Sequence, residues 1–179
     1  MRNNRLKMMI VAALFAAIIA VAAQIIINIP PIPFTLMTIA VMLTATILGA
    51  KYGTLAVSVY VLMGIIGIPV FAGMKGGFGI VLGPTGGYIV AIIPATLFVG
   101  WYLESFGHTK VQAIIANMLA VFIILALGTV WLKFVADLPW NGALKGGMLP
   151  FILPDLVKAI VAAIIGVLIR KRLVTAKLI

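Results

Sequence analysis

The chain has 179 residues, 65% hydrophobic and 9% charged, with thirteen Lys and Arg against three Asp and Glu. Soluble domains carry roughly a quarter charged residues, so a mean hydropathy of +1.32 excludes a water-soluble fold and indicates an integral membrane protein, one domain over residues 1–179. Without cysteine, and with one histidine and three acids, the chain lacks the ligands for a disulfide framework or a zinc centre, and no metal or cofactor is expected.

Six apolar spans are predicted, at about 8–29, 33–49, 53–69, 86–103, 111–135 and 151–169. Each approaches the roughly 20 residues that a helix needs to cross a bilayer. The expected fold is an all-α membrane protein of six transmembrane helices. The first span follows a basic start, MRNNRLK, and contains an Ala-Val-Ala resembling a signal-peptidase site. Its apolar run continues to Ile29, beyond the roughly 7–15 residues of a signal h-region, so a retained helix is expected. Along this helix Ala12, Ala16 and Ala20 recur every four residues, with Ala13 and Ala17 beside them. Small residues at that spacing let a second helix approach closely, either inside the chain or as a docking face for a partner membrane protein. The second and third spans are short and are separated only by GAKYG, the weakest of the boundaries.

Between the third and fourth spans runs GIPVFAGMKGGFGIVLGPTGGY, residues 67–88, expected as a Gly-rich loop on the outer side. It is too apolar for a disordered linker and too rich in Gly and Pro for one helix. Non-helical backbone at membrane depth requires protein cover or a wet cavity beside it. The stretch holds neither G-x-x-x-x-G-K-[ST] nor G-x-G-x-x-G, so the chain is not expected to be an ATPase by itself. Other enzyme chemistry finds no support either. The serines are Ser58 and Ser105 and the histidine is His108, expected in a solvated cytoplasmic loop. Asp137 and Asp155 belong to the outer half and Glu104 to the cytoplasmic end, so neither a catalytic triad nor a carboxylate pair assembles. Trp101, Trp131 and Trp140 lie near span ends and read as interfacial anchors.

The basic residues are sorted by position. Arg2, Arg5, Lys7, Lys51, Lys110, Arg170, Lys171, Arg172 and Lys177 fall on one side of the six spans, and Lys75, Lys133 and Lys145 on or near the other. Nine against three is a positive-inside bias that places both termini in the cytoplasm. The net charge of +10 is thereby a topology signal, and no nucleic-acid partner is implied.

The last span carries the exception. In LPDLVKAI, residues 153–160, Asp155 and Lys158 interrupt an apolar run. A helix beginning near Pro154 puts that proline and Asp155 in the first turn, where the dipole favours an anion. It does not favour Lys158, which opposes the dipole and lies some 4–5 Å deeper at about 1.5 Å per residue. An unpaired charge at a helix centre costs roughly 2.5–3.5 kcal/mol, and an i,i+3 ion pair offsets part of that. An ionisable pair inside the membrane marks a functional site by default. Here it faces the same side as the Gly-rich loop, which suggests an outward-facing pocket for a small, partly polar ligand.

In order and spacing, IPPIPFTL (29–36), GIPVFAGMKGGFGIVLGPTGGY (67–88) and PFILPDLVKA (150–159) resemble the BioY family, across essentially the whole chain. These are the biotin-binding S components of energy-coupling-factor (ECF) transporters. The resemblance implies high-affinity capture of biotin at the outside of the cell membrane. It also implies docking onto a separate membrane scaffold with two ATP-binding-cassette ATPases that supply the energy. Asp155 and Lys158 match the family's acid–base pair. Biotin's ureido group has N–H donors that Asp155 can accept, while Lys158 either donates to the ureido carbonyl or holds Asp155 ionised. The loop around Gly73, Met74, Lys75 and Gly76 would close over the ligand, with Thr85 and Tyr88 at its far end and Phe34 and Phe71 against the fused rings. Two positions depart from the family's pattern, Met37 where Gln is common and Ile89 where some members carry a basic residue. They leave the partner of the biotin carboxylate unassigned, with Lys75 as a substitute. The alternatives are a membrane scaffold or assembly subunit without a small-molecule ligand, and an S component for another vitamin.

Overall fold

The computed structural model describes residues 2–27 and 32–179. Ile29, Pro30 and Pro31 of the IPPIPFTL segment lie outside the described residues. In chain order the elements are α1 (Arg2–Ala22), β1 (Ile26–Ile27), β2 (Phe34–Thr35), α2 (Met37–Ile65), α3 (Phe78–Leu82), α4 (Gly86–Phe106), α5 (Lys110–Val135), α6 (Trp140–Gly147) and α7 (Leu149–Thr175). Among the described residues, five helical segments are long and apolar enough to cross a membrane: Asn4–Ala22, α2, α4, α5 and the run from Trp140 to Thr175. Helix α2 packs against α1, α4 and α7, and α5 against α4 and α7.

The spans expected at 33–49 and 53–69 are the two arms of α2. Gly49 breaks the helix with φ 76° and ψ −171°, a conformation that glycine adopts without the Cβ penalty. A Cβ on Gly53 would lie 3.3 Å from Ala45 Cα, whereas eight residues of straight helix would separate these positions by about 12 Å. Farther along, the Tyr60 hydroxyl donates to Met37 Sδ at 3.2 Å. The arms therefore run antiparallel. Glu104 of α4 holds the turn by accepting the Ala50 N–H at 2.8 Å, and Arg170 of α7 donates to the Ile47 carbonyl. A side chain at position 49 would strike Glu104 Oε1, a second reason for glycine there.

Several expectations are corrected. Ala12 and Ala16 do not form a free docking face: each is 1% exposed. Ala12 packs with Ile47, Leu48 and Ala56 in one apolar cluster, Ala16 belongs to the main core, and Ala20 is half-buried against it. The four-residue alanine strip serves close packing of α1 inside the chain. The outward face of α1 carries Ala13, Leu14, Ala17, Ile18 and Val21 instead. Helix α7 begins at Leu149, so Pro150, not Pro154, takes the first-turn position. Asp155 consequently sits more than a turn inside the helix, and the dipole of the first turn does not account for it. Between α5 and α7 the chain forms the short helix α6, in a segment that belonged to none of the predicted spans. His108 is half-buried rather than solvated, and its Nε2 is buried with no hydrogen-bond partner among the described residues. Burial, then the nearby Arg170 guanidinium, depress its pKa, with Glu104 opposing.

Substitution at adjacent positions of α1 separates its two faces. Ala16→Leu overpacks the core and is expected to destabilise by about 1–3 kcal/mol, while Ala17→Leu leaves the melting temperature in detergent within error. Equal melting temperatures would contradict the orientation of α1. A depressed folded-state pKa at His108 means that the unfolded chain binds its proton more readily. Stability is thus expected to fall as pH drops through histidine's ordinary value of 6.5, and His108→Gln should flatten that slope in pH-dependent thermal unfolding.

Candidate functional site

Asp155 and Lys158 lie on α7, three residues apart and so on one helix face, and are 6% and 7% exposed. Their ion pair spans 2.9 Å, Nζ to Oδ1. Lysine has three N–H donors, and all are engaged: Asp155 Oδ1 at 2.9 Å, Thr38 Oγ1 at 3.0 Å and the Thr35 carbonyl at 2.6 Å. The ammonium also sits 3.5 Å from the centroid of the Phe34 ring, a cation–π contact. Thr38 Oγ1 lies 3.4 Å from Asp155 Oδ1 as well. Asp155 Oδ2 has no hydrogen-bond partner among the described residues.

The segment that reaches Lys158 is positioned by a two-residue ribbon, in which β1 and β2 pair antiparallel with Ile26 opposite Thr35 and Ile27 opposite Phe34. Beside the pair lies a cavity of about 60 Å³, lined by Phe34, Thr38, Ile124, Leu125, Phe151, Asp155 and Lys158 among others. A second cavity, of about 420 Å³, shares Ile32, Pro33, Thr35, Met37 and Tyr88 with the first. Tyr60, Phe71, Ala72, Lys75, Thr85 and Ile89 extend its wall.

The Gly-rich stretch contributes unevenly. Phe71 is buried against Tyr60 in an edge-on ring pair with centroids 5.8 Å apart, and a Cβ on Gly64 would collide with its ring. Phe71 and Lys75 exchange backbone hydrogen bonds, Phe71 N to Lys75 O at 2.9 Å and Lys75 N to Phe71 O at 3.3 Å. Gly73 and Met74 form the tip of this tight turn with φ of 74° and 55°. Neither they nor Gly76 line the cavities; Gly76 lies where a Cβ would press on the Ile68 carbonyl, so these residues shape the loop instead. Thr85 does line the larger cavity. Tyr88 supplies its ring to both cavities, but its hydroxyl donates to the Gly147 carbonyl at 2.8 Å and pairs with Thr129 Oγ1 at 3.1 Å. That hydroxyl ties α4 to α5 and α6 and is spent on structure.

Residues that the sequence reasoning did not single out complete the site: Thr35, Thr38, Tyr60, Phe151 and Gln24. Two threonines three apart at the start of an apolar span, in PFTLMT, were a legible signal for partners of a buried charge. Tyr60 and Phe151 had none, being aromatic residues among many.

Chemically, the arrangement offers a carboxylate oxygen with spare acceptor capacity at the small cavity, apolar and aromatic walls, and a lysine in the wall of the larger one. Mostly apolar walls with a few placed polar groups are the usual make-up of a small-molecule pocket. No group of three or more His, Cys, Asp or Glu side chains is placed to hold a metal among the described residues. Removal of one charge should expose the cost of the pair. Lys158→Met leaves a buried, unpaired carboxylate and is expected to destabilise by about 3–5 kcal/mol, while Asp155→Leu in the same chain should restore most of the loss. Denaturant unfolding of the single and double variants measures both.

Comparison with known proteins gives a consistent family. The profile of the BioY family matches residues 1–175. Biotin transporter BioY2 of Lactococcus lactis subsp. cremoris is 40% identical over 93% of this chain and 91% of its own. Probable biotin transporter BioY of Pyrococcus horikoshii is 43% identical over 86% and 90%. A crystal structure of the S-component for biotin from an ECF-type ABC transporter superposes with a TM-score of 0.86 at 29% identity, covering 96% of this chain and 94% of that one. The chain belongs to the BioY family.

Proposed function

We propose that this chain binds biotin and mediates its uptake as the substrate-specific S component of an ECF-type transporter. The reading is supported by the names of its relatives and by the kinship in fold to the S-component for biotin. The single observation that carries the mechanism is Asp155, whose Oδ2 has no partner among the described residues, beside a Lys158 with no donor left to give. In this mechanism Asp155 accepts a ureido N–H of biotin in a charge-assisted bond. Lys158 holds the carboxylate ionised and does not itself bind ligand. Phe34, Phe71 and the Tyr88 ring flank the fused rings, and Thr85 lies at the far wall. Gly73, Met74 and Gly76 act through the shape of the loop. Lys75 is the cavity cation without an ion-pair partner among the described residues and takes the biotin carboxylate.

The chain crosses the cell membrane six times in this proposal, because the antiparallel arms of α2 count as two crossings, and both termini are cytoplasmic. The distribution of basic residues supports that orientation and opens the site to the outside. Transport then requires a membrane scaffold subunit and two ABC-type ATPases. With Ala12 and Ala16 packed inside, the outward small residues of α1 available for close docking are Ala13 and Ala17.

Equilibrium binding by the purified chain tests the site. Asp155→Asn is expected to weaken biotin binding by about 10–100-fold, the loss of one hydrogen bond to a charged group. Unchanged affinity would remove Asp155 from the site. Lys75→Met should weaken biotin by a similar factor yet leave the affinity for biotin amide, which lacks the carboxylate, unaltered; an equal effect on both ligands would refute the assignment of Lys75. A thermal-shift panel of vitamins checks the ligand itself, since stabilisation follows binding to the folded state.

A further inference from the structure

Gln24 lies two residues beyond α1, at the turn into β1, and its side-chain amide joins two parts of the chain. The two N–H groups of Nε2 are shared among three carbonyls, those of Ala20 at 3.1 Å, Val70 at 3.1 Å and Phe71 at 3.2 Å. Oε1 accepts the Met74 N–H at 2.9 Å. The bond to Ala20 is what a residue closing a helix would make. The other three reach residues 46 to 50 positions away, and helix termination gives no reason for them.

The loop they reach is anchored by the buried Phe71 and by backbone bonds at its two ends. Ile68 N donates to the Met63 carbonyl at 3.0 Å and Gly77 N to the Gly64 carbonyl at 2.7 Å, and the tip of the loop lies between these anchors. Between Gly67 and Gly77 it forms neither helix nor strand, apart from the Phe71–Lys75 bridge. Met74 carries a positive φ of 55°, which is uncommon for a residue with a side chain. Its N–H bond to Gln24 helps hold it there. Among the described residues, the only other side chain bonded to this turn is Tyr60, at the Val70 carbonyl. Phe71 and Lys75, the two ends of the turn, line the larger cavity. One residue, Ile25, separates Gln24 from β1, whose partner β2 presents Phe34 and Thr35 to Lys158.

From this geometry we infer that Gln24 is a positioning residue. It fastens the Phe71–Lys75 turn to the end of α1 and so sets how fast ligand leaves the cavity. The inference rests on the proposed biotin site for its ligand. The amide must both donate and accept, because the turn offers carbonyls on one side and an N–H on the other. A carboxylate of the same shape can accept from Met74 but cannot donate to Val70 and Phe71.

The test compares wild type, Gln24→Ala and Gln24→Glu in detergent at neutral pH. Three readouts are used: the biotin dissociation rate, hydrogen exchange at the Met74 amide, and the melting temperature without ligand. Both variants are expected to release biotin about tenfold faster and to exchange the Met74 amide faster, with little change in melting temperature. Gln24→Ala placed on Lys75→Met should add less than it does alone, because the cation that the turn presents is already gone. Wild-type release from either variant would overturn the inference, and so would a normal rate in Gln24→Glu. If the wild-type chain binds no biotin at all, the proposed function falls instead. Met74 exchange, which needs no ligand, then decides the latch by itself: unchanged exchange in both variants overturns it.

Discussion

The structure depends on one expensive feature, an ion pair buried in a helical membrane protein. Lys158 and Asp155 are tolerated because every N–H of the ammonium is used and because the two charges lie within hydrogen-bond distance of each other. A buried pair of this kind is weak evidence for stability, since apolar residues of similar volume often do as well. Much of the surrounding architecture nonetheless serves it. The β1–β2 ribbon brings the Thr35 carbonyl to Lys158, the first arm of α2 brings Thr38, and Phe34 covers the ammonium. Saturating the lysine leaves the carboxylate with one oxygen uncommitted, and a pocket needs such an oxygen if it is to read an N–H donor.

The rest of the pocket is built by close approach, and the small residues have separate tasks. Gly64 makes room for the Phe71 ring, Gly49 permits the reversal of α2, and Gly128 and Gly147 accommodate Tyr88. Where chain meets chain so tightly, a side chain's polar tip is often claimed by its neighbours. Tyr88 shows this: its ring faces the cavity while its hydroxyl is bonded behind it. Phe71 and Lys75 stand on a turn that is short of regular structure and is tied to α1 through Gln24. The wall nearest the Gly-rich segment is thus held by backbone bonds, by Phe71 and by Gln24, and the Asp155 end by an ion pair and its threonines.

Some features were readable in one dimension for a physical reason. Lipid demands long apolar runs with internally satisfied backbone, so the helical segments could be predicted from hydropathy. GAKYG, the weakest of the predicted boundaries, holds the reversal at Gly49, where the positive φ favours glycine. The acid–base pair was legible since an i,i+3 spacing shares a face on any helix, whatever its surroundings. The proline signal misled: with two prolines in LPFILPDL, the helix starts at the earlier one, and sequence alone could not rank Pro150 against Pro154. The α6 helix was not predicted because eight residues are too few to cross a bilayer and WNGALKGG ends in two adjacent glycines.

Composition, charge placement and a few motifs were enough to determine that this is a helical membrane protein of the BioY type with a charged pair in its last helix. Which way each helix faces was decided only by packing. Ala12 and Ala16 turn inward and Ala13 and Ala17 outward because of how α1 lies on α2, and small residues offer no hydrophobic contrast between the two faces. The spent donors of Lys158 and the four bonds of Gln24 likewise depend on partners far away in the chain. Hydrogen-bond saturation is a property of three-dimensional neighbours, and no local pattern encodes it.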